Sequence, residues 1–255
     1  MHPVPLPALA DNYIWLLHDD AGHAVVVDPG DDVPVEQALA ARGLQLQAIL
    51  LTHHHPDHVG GAAALRRRHG VPVYAPEDAR IEAATVRVRD GERIALPQPQ
   101  ASFEVIAVPG HTLSHVAYFG EGLLLAGDTL FSLGCGRLFE GTPAQMLASL
   151  DRLAALPAHT LLCCGHEYTA ANGRFARGIE PGNAELAARL QEVAALRARQ
   201  RPSLPVPLAS ELATNPFLRT DAPAVIDWCR RQPGRPADRT ARFAAMRAAK
   251  DAFRA

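Results

Sequence analysis

The most constraining feature of this chain is the run Thr52–His58, in which five side chains that can bind a metal fall within six positions. The run follows directly on a short apolar segment with the length and composition of a buried strand. Because side chains at alternate positions of an extended segment point the same way, His53, His55 and Asp57 can converge while His54 points away. Imidazole and carboxylate groups bind zinc, iron and manganese. We therefore predict a catalytic metal site at the end of this strand.

The composition excludes several classes of partner. The 255 residues carry a net charge of −2, which argues against binding nucleic acid, since that usually needs a basic surface. No apolar run reaches the ~20 residues of a transmembrane helix, and the N-terminus lacks a charged-then-apolar signal peptide. The four cysteines form no CxxC pair, which favours a reduced, cytoplasmic protein. We therefore expect neither a nucleic-acid nor a membrane partner, and we expect the chain to act as a monomer.

Short apolar runs that end at glycine, proline, aspartate or histidine recur through the first two thirds of the chain, and they predict an α/β domain over residues 1–172. The predicted strands cover residues 13–17, 24–27, 48–51, 71–74, 103–108, 117–119, 123–126 and 161–164. Helical patterns cover 34–42, 60–69 and 143–156 in the same domain. Further helical patterns over 183–200, 224–231 and 239–253 predict a smaller helical domain over residues 173–255.

Three more candidate ligands follow predicted strands. His111, Asp128 and His166 each come just after an apolar run and beside a glycine. Glycine permits the sharp turns and close backbone approaches that such positions need. Because strand ends of an α/β fold can meet at one edge of a sheet, we expect these side chains to join the run Thr52–His58.

The number of candidate ligands favours two metal ions over one. A catalytic zinc needs about three protein ligands and a water. The candidates number seven: His53, His55, Asp57, His58, His111, Asp128 and His166. We predict that Asp128 bridges two ions, with one set of three ligands on each. The first set is His53, His55 and His111, and the second is Asp57, His58 and His166.

The pattern HxHxDH, followed by PGHT, GDTLF and GHEYT segments, resembles the metallo-β-lactamase superfamily. That resemblance covers about residues 11–168 and implies an αββα sandwich with a dinuclear site on one edge. A finer resemblance, through LADNY, GCGRLFEGT, GHEYT, NPFLR and the terminal MRAAKD, is to the glyoxalase II (hydroxyacylglutathione hydrolase) family and covers nearly the whole chain. It implies hydrolysis of the thioester S-D-lactoylglutathione to D-lactate and glutathione, the last step of methylglyoxal detoxification. It also implies two divalent ions, with zinc favoured over iron or manganese.

The same resemblance implies which residues bind the glutathione part of the substrate: Arg137, Phe139, Tyr168, Arg247 and Lys250. Some family members carry tyrosine where this chain has Phe139, so one hydroxyl contact is lost here. Glutathione carries two carboxylates, and its site should offer cations. Arg247 and Lys250 are three residues apart and share a helix face. Lys250 is also the only lysine in a chain that uses arginine everywhere else.

We hypothesise that a metal-bridging hydroxide attacks the thioester carbonyl carbon, with Asp57 and Asp128 as the catalytic carboxylates. The thiolate leaves readily because a thiol has a pKa of about 8.5. Competing functions are a mononuclear-iron persulfide dioxygenase of the same superfamily, a lactonase or nuclease, and a non-catalytic metal-binding protein.

Three other polar residues have two interpretations each. His54 and His115 can be ligands, but we favour hydrogen-bonding or structural roles for both. Asp28 follows a predicted strand and precedes Pro29, so it can brace a metal ligand or form a turn.

Overall fold

The computed structural model describes residues 1–254 and divides the chain into two compact units. Unit 1 comprises Met1–Ala107, Ser114–Gly127 and Cys163–His166, and unit 2 comprises Val108–Leu113, Asp128–Leu162 and the chain from Glu167 onward. Each unit is therefore assembled from segments that are distant in the sequence. The predicted domain boundary between residues 172 and 173 falls within a helix, Thr169–Ile179, and it stays a prediction.

The first sheet of unit 1 has six strands that neighbour one another in chain order. Their bounds are β1 His2–Ala8, β2 Asn12–His18, β3 His23–Val27, β4 Gln45–Leu50, β5 Val73–Pro76 and β6 Val86–Val88. The first three strands are antiparallel, and β3 to β6 are parallel. Helices α1 Asp32–Arg42, α2 Pro56–Val59 and α3 Ala62–His69 lie in the crossovers between the parallel strands. The strands predicted at 13–17, 24–27 and 48–51 are confirmed, and β5 begins two residues later than predicted.

The sequence does not predict strand β1, because Pro3, Pro5 and Pro7 occupy alternate positions of it. The structure places this strand at the edge of the sheet, where β2 is its neighbour. An edge strand needs the N–H groups of alternate residues only, so prolines at the other positions remove no hydrogen bond from the ladder. They also discourage pairing of the open edge with another chain.

The remaining strands are short and mostly antiparallel. Their bounds are β7 Arg93–Leu96, β8 Ala101–Ala107, β9 Val116–Gly120, β10 Leu123–Gly127, β11 Leu130–Phe131, β12 Gly134–Cys135, β13 Leu161–Cys164 and β14 Val206–Pro207. Strands β7 to β10 form the second sheet of unit 1, and the end of β13 lies beside β10. The chain passes from unit 2 into unit 1 within β13, and its first residues pair with β14 in unit 2.

Unit 1 is layered because both faces of its first sheet are apolar. One face packs against α1 and α3 in a buried cluster that includes Leu16, Val26 and Leu65. Residues of the opposite face, such as Leu17 and Val25, are also fully buried, as alternation along a strand requires. The Tyr118 hydroxyl of the second sheet donates a hydrogen bond of 2.8 Å to the backbone carbonyl of Leu51, just beyond β4. A helix layer and two stacked sheets thus bring several strand ends to one edge.

Unit 2 contains the other helices: α4 Pro143–Ala154, α5 Thr169–Ile179, α6 Ala184–Ala198, α7 Leu208–Thr214, α8 Pro223–Arg230 and α9 Arg239–Ala252. The four predicted helices among them, α4, α6, α8 and α9, are confirmed. Helix α4 begins with a capping box, in which Thr142 and Gln145 satisfy each other's backbone N–H groups. The sequence does not predict α5, because Gly173 and Gly178 weaken its helical signal. Within residues 1–254, no helix is long and apolar enough to cross a membrane.

Candidate metal centre

The histidine-rich run of unit 1 lies between a strand and a helix. Strand β4 ends at Leu50, and α2 begins at Pro56 with His55 as its N-cap residue. The fully buried His53 places its Nε2 atom 3.1 Å from the Nδ1 atom of His55. Two nitrogens bound to one tetrahedral zinc, each at about 2.0–2.1 Å from it, lie roughly 3.3 Å apart. The spacing of these two nitrogens therefore fits a shared metal ion.

A second group of candidate ligands forms around Asp57. Its Oδ2 atom lies 3.4 Å from Nε2 of His58 and 3.4 Å from Nε2 of His166. The ligand atoms of these three residues all lie within 4.8 Å of one another. Both imidazoles are buried, whereas the Asp57 side chain is 39% exposed. A carboxylate that faces two imidazoles across this spacing again fits a divalent ion.

Asp28 accepts hydrogen bonds from both ends of the run Thr52–His58. Its Oδ2 atom accepts from Nδ1 of His58 at 3.0 Å and from the Thr52 hydroxyl at 2.7 Å, and its Oδ1 atom accepts from the Thr52 N–H. The Thr52 oxygen lies in turn 3.0 Å from Nδ1 of His53. Because these acceptors require a proton on Nδ1, the Nε2 atoms of His53 and His58 are left to bind metal. Asp28 also has a φ of 51°, so it both forms the turn and fixes the ring of a candidate ligand.

Asp11 and Asn12 support the second group from the start of β2. The Oδ1 atom of Asp11 accepts from Nδ1 of His166 at 2.7 Å. The side-chain amide of Asn12 donates to Oδ2 of Asp57 at 2.9 Å. The sequence alone indicates a role for neither residue, because their partners are 155 and 45 positions away. Their presence in the Asp-Asn-Tyr segment of the family resemblance is the signal that points to them.

The surroundings of Asp57 favour its charged form. Hydrogen bonding to His166, followed by that to His58, holds the pKa of this carboxyl well below its usual value of 3.8. The Asn12 amide lowers the pKa further, and burial acts in the opposite direction. Asp57 is therefore ionised at neutral pH, as a metal ligand must be.

In unit 2, His111 and Asp128 form a third group of candidate ligands. Both are buried, and Nε2 of His111 lies 3.5 Å from Oδ2 of Asp128. Nδ1 of His111 donates to the backbone carbonyl of Arg137 at 2.8 Å. The carbonyl fixes the proton on Nδ1, so Nε2 is again the atom available for a metal. The assignment of all seven residues to one dinuclear centre stays a prediction.

Two glycines are required by close backbone approaches next to these ligands. A Cβ atom on Gly30 would lie 1.9 Å from the carbonyl oxygen of Asp57. A Cβ atom on Gly136 would lie 1.9 Å from the carbonyl oxygen of Asp128 and 3.2 Å from Nδ1 of His111. Real Cβ atoms do not approach backbone this closely, so any larger residue must displace a candidate ligand. The sequence does not reveal either restriction, because both depend on tertiary packing.

The other two histidines near the site, His115 and His54, have the surroundings expected of structural or hydrogen-bonding residues. The ring of His115 stacks on that of His53 with centroids 4.5 Å apart, and its Nδ1 lies 3.1 Å from the carbonyl of Val116. His54 turns toward Asp78, with Nδ1 3.5 Å from Oδ2 of that residue. Asp78 is in turn held by Arg80 at 2.6 and 2.8 Å and by the Ser114 hydroxyl at 2.6 Å.

The ionised carboxylate of the buried Asp78 is expected to increase the free energy of unfolding. Hydrogen bonds from Arg80 and Ser114 hold the pKa of Asp78 below its usual value of 3.8. Because the folded pKa is lowered, the ionised group stabilises the fold above pH 3.8, and that contribution is lost as the pH falls below 3.8. We expect Asp78→Asn to lower the free energy of unfolding at pH 7 by about 1–2 kcal/mol, allowing for solvent screening at Arg80.

Urea denaturation of the wild type and of Asp78→Asn at pH 7, 5 and 3 measures this effect, and the difference should shrink at pH 3. The control is Asp20→Asn, whose side chain is 96% exposed and should change the free energy by less than about 0.5 kcal/mol. A difference between Asp78→Asn and the wild type that is equal at all three pH values would contradict the ionisation argument.

The residues that the resemblance assigns to substrate binding are all in unit 2. Phe139 is 63% exposed, its ring centroid lies 5.2 Å from that of His111, and its N–H donates to the His111 carbonyl at 3.2 Å. The Tyr168 ring packs edge-on against Phe131, 5.2 Å between centroids, just before α5. Phe139 therefore presents an apolar surface directly beside a candidate ligand.

Two of the three cations of this set share one carboxylate. Nε of Arg137 and Nη2 of Arg247 lie 3.2 and 3.0 Å from Oδ1 of Asp251. Arg137 is half exposed, but Arg247 is buried and its Nη1 donates to the carbonyl of Cys135 at 2.7 Å. Burial, followed by the charge of Arg247, lowers the pKa of Lys250. The excess of positive charge here suits an anionic ligand.

Two family models match the chain and together cover nearly all of it. The model described as the metallo-β-lactamase superfamily matches residues 10–166. The model described as the hydroxyacylglutathione hydrolase C-terminus matches residues 167–253. The first range contains all seven candidate ligands, and the second contains Tyr168, Arg247 and Lys250.

Similar proteins agree with these matches. The chain is 51% identical over 263 residues to the hydroxyacylglutathione hydrolase of Cupriavidus metallidurans, covering 98% of each chain. Among solved structures, the BLEG-1 B3 metallo-β-lactamase has a TM-score of 0.63 at 24% identity, covering 85% of this chain and 98% of that one. The di-iron-bound form of TTHA1623 has a TM-score of 0.53 at 33% identity, covering 65% and 92%. This chain belongs to the metallo-β-lactamase superfamily and, within it, to the hydroxyacylglutathione hydrolases. The predicted αββα fold with a helical C-terminal region is confirmed.

Proposed function

We propose that this protein is a hydrolase that cleaves S-D-lactoylglutathione to D-lactate and glutathione, in the last step of methylglyoxal detoxification. The observation that carries the proposal is the 51% identity to a named hydroxyacylglutathione hydrolase over 98% of both chains. The match of residues 167–253 to the C-terminus of that family adds support, because this region holds the cluster of cations.

We propose that two divalent ions, zinc in the first instance, are held by the seven candidate ligands. Imidazole nitrogens and carboxylate oxygens suit zinc, iron or manganese, and TTHA1623, a similar protein, has a di-iron-bound form. The first ion would be bound by His53, His55 and His111, and the second by Asp57, His58 and His166. Asp128 would bridge them. The residues fit the ions because acceptors such as Asp11 and Asp28 each fix an imidazole proton on Nδ1.

When bound, two divalent ions supply Lewis acidity and can lower the pKa of a bound water from 15.7 to about 7. The protein's part is to hold the ligands and orient the reactants. Asp57 stays ionised because His166 and His58 lower its pKa, and it can accept a hydrogen bond from the attacking water. No strong general acid is needed, because the leaving thiolate is the conjugate base of a thiol with a pKa of about 8.5.

The glutathione part of the substrate would bind to unit 2. We propose that Arg137, Phe139, Tyr168, Arg247 and Lys250 form its binding site. Arg137 and Lys250 can face the carboxylates of glutathione. Arg247 is buried, so it adds positive charge to the wall of the site and holds the backbone at Cys135 by donating to that residue's carbonyl. Phe139 offers an apolar surface where some family members have a tyrosine.

The decisive experiment measures thioester cleavage and metal content on one preparation. Loss of the thioester absorbance of S-D-lactoylglutathione gives the rate, and elemental analysis gives ions per chain. We expect turnover with about two ions per chain, loss of turnover on chelation, and recovery with zinc. No turnover by a fully loaded protein would refute the proposal. Oxygen consumption with glutathione persulfide by a preparation with one iron per chain would instead favour a dioxygenase.

We also propose that the protein acts as a monomer in the cytoplasm. Support for a reducing compartment comes from the four cysteines, which are buried and, within residues 1–254, form no disulfide. Light scattering during size-exclusion chromatography tests the oligomeric state, and a mass near 27.3 kDa is expected.

A further inference from the structure

The segment Phe131–Arg137, here called the 131–137 loop, is held by buried polar side chains from the helices of unit 2. Strands β11 and β12 form a tight hairpin in this loop, and Leu133 at its tip has a φ of 59°. A leucine rarely adopts this left-handed conformation unless its surroundings fix it. Something outside the hairpin must therefore hold its backbone.

Glu211 of α7 is the central holding residue. It is fully buried, and its Oε1 atom accepts from the Ser132 hydroxyl at 2.7 Å. Its Oε2 atom accepts from the Leu133 N–H at 2.7 Å and from the Asn215 amide at 3.1 Å. The carboxylate thus fixes the backbone at the residue with the unfavourable φ.

Asn215, which follows α7, extends the network to both strands of the hairpin. It is fully buried, and its Nδ2 atom donates to the carbonyls of Phe131 at 3.1 Å and Gly134 at 2.9 Å. The Asn172 amide of α5 also donates to the Ser132 carbonyl at 3.1 Å. A buried network of this kind makes the backbone rigid only when every polar group in it has a hydrogen-bond partner. Loss of one member therefore affects the whole loop.

The far end of the loop contacts the candidate ligands of unit 2. The Arg137 carbonyl accepts from Nδ1 of His111 at 2.8 Å. The N–H of Gly136 donates to the carbonyl of Thr129, next to Asp128, at 3.1 Å. A shift of the loop would therefore move both His111 and Asp128.

We propose that Glu211 and Asn215 are positioning residues for the metal ligands His111 and Asp128, acting through the 131–137 loop. The inference rests on the proposed function, in that it takes these two residues to bind metal. It gives the helices after residue 167 a second role beside substrate binding, because they fix the positions of two of the seven candidate ligands.

The experiment measures zinc affinity, by competition with a chromophoric chelator, on the full-length chain. Substitutions of residues that support metal ligands typically cost 10–100-fold in metal affinity. We expect Glu211→Ala to weaken zinc binding at least about 10-fold. Glu211→Gln should stay within about 3-fold of the wild type, since its oxygen can accept from Leu133 while its amide donates to the Ser132 hydroxyl.

Two control variants separate positioning from general loss of stability. Glu185→Ala removes an exposed glutamate of α6, and Val225→Ala leaves a cavity at a fully buried site of α8. Both should keep wild-type zinc affinity. Unchanged zinc affinity in Glu211→Ala, or an equal loss in Val225→Ala, would overturn the inference.

If Glu211→Ala does not fold, Ser132→Ala decides the question, because it removes one donor to the same carboxylate. A several-fold loss of zinc affinity would support the inference, and unchanged affinity would overturn it. A wild type that binds zinc but does not cleave S-D-lactoylglutathione would refute the proposed function alone, since the comparison of zinc affinities would still stand.

Discussion

Asp128→Asn is expected to reduce the rate of S-D-lactoylglutathione hydrolysis by at least about 10³-fold, which corresponds to roughly 4 kcal/mol of transition-state stabilisation. Asp128 is buried, and its Oδ2 atom lies 3.5 Å from Nε2 of His111. A bridging carboxylate would share its negative charge between two cations, whereas the side-chain amide of asparagine is neutral and its nitrogen is a poor metal ligand. The variant keeps the size of the side chain, so it tests charge and bridging and not packing.

The same preparation should bind fewer than two metal ions per chain, which elemental analysis after dialysis will measure. The control is Asp227→Asn on α8, whose carboxylate is 57% exposed and pairs with Arg230. Removing that charge should change neither the rate nor the metal content. A variant Asp128→Asn that keeps two ions and full activity would show that Asp128 does not bridge them.

The elements of the fold that the sequence predicts are those whose signal is local. Strands such as β3 and β4 are short, branched and apolar, and α4 begins with a capping box that is visible in the sequence. Strand β1 has the opposite composition, and only its place at a sheet edge explains its prolines. Helix α7 is short, and the sequence does not predict that its Glu211 is buried, because a glutamate usually lies on the surface.

The candidate ligands could be found in the sequence because each follows a strand. The groups that fix them could not, because tertiary packing brings them together. Asp28 lies 30 positions from His58, and Asp11 lies 155 positions from His166. The same holds for the residues assigned to substrate binding. A spacing of three residues places Arg247 on the same helix face as Lys250. The sequence does not reveal that Arg247 is buried against Cys135 and Phe217, because those contacts depend on the packing of unit 2.

Gly136→Ala is expected to lower catalytic efficiency about 100-fold, corresponding to roughly 2.7 kcal/mol, and to weaken metal binding. The added Cβ would lie 1.9 Å from the Asp128 carbonyl oxygen and 3.2 Å from Nδ1 of His111. Because the first contact is with backbone, no side-chain rotation can relieve it. The added atom must therefore displace Asp128, His111 or the Arg137 carbonyl, which accepts a hydrogen bond from His111.

Gly178→Ala is the matched control for this substitution. Gly178 lies on the exposed side of α5, and a Cβ atom there would meet nothing within 4 Å. Alanine should stabilise this helix by up to about 1 kcal/mol and leave hydrolysis and metal content unchanged. Steady-state rates, metal content and thermal unfolding of both variants make the comparison. If Gly136→Ala matched Gly178→Ala in all three measurements, the close approach of the loop to Asp128 would have no part in holding the candidate metal ligands. If only its activity and metal content fell, the requirement for glycine would lie in the site and not in the stability of the fold.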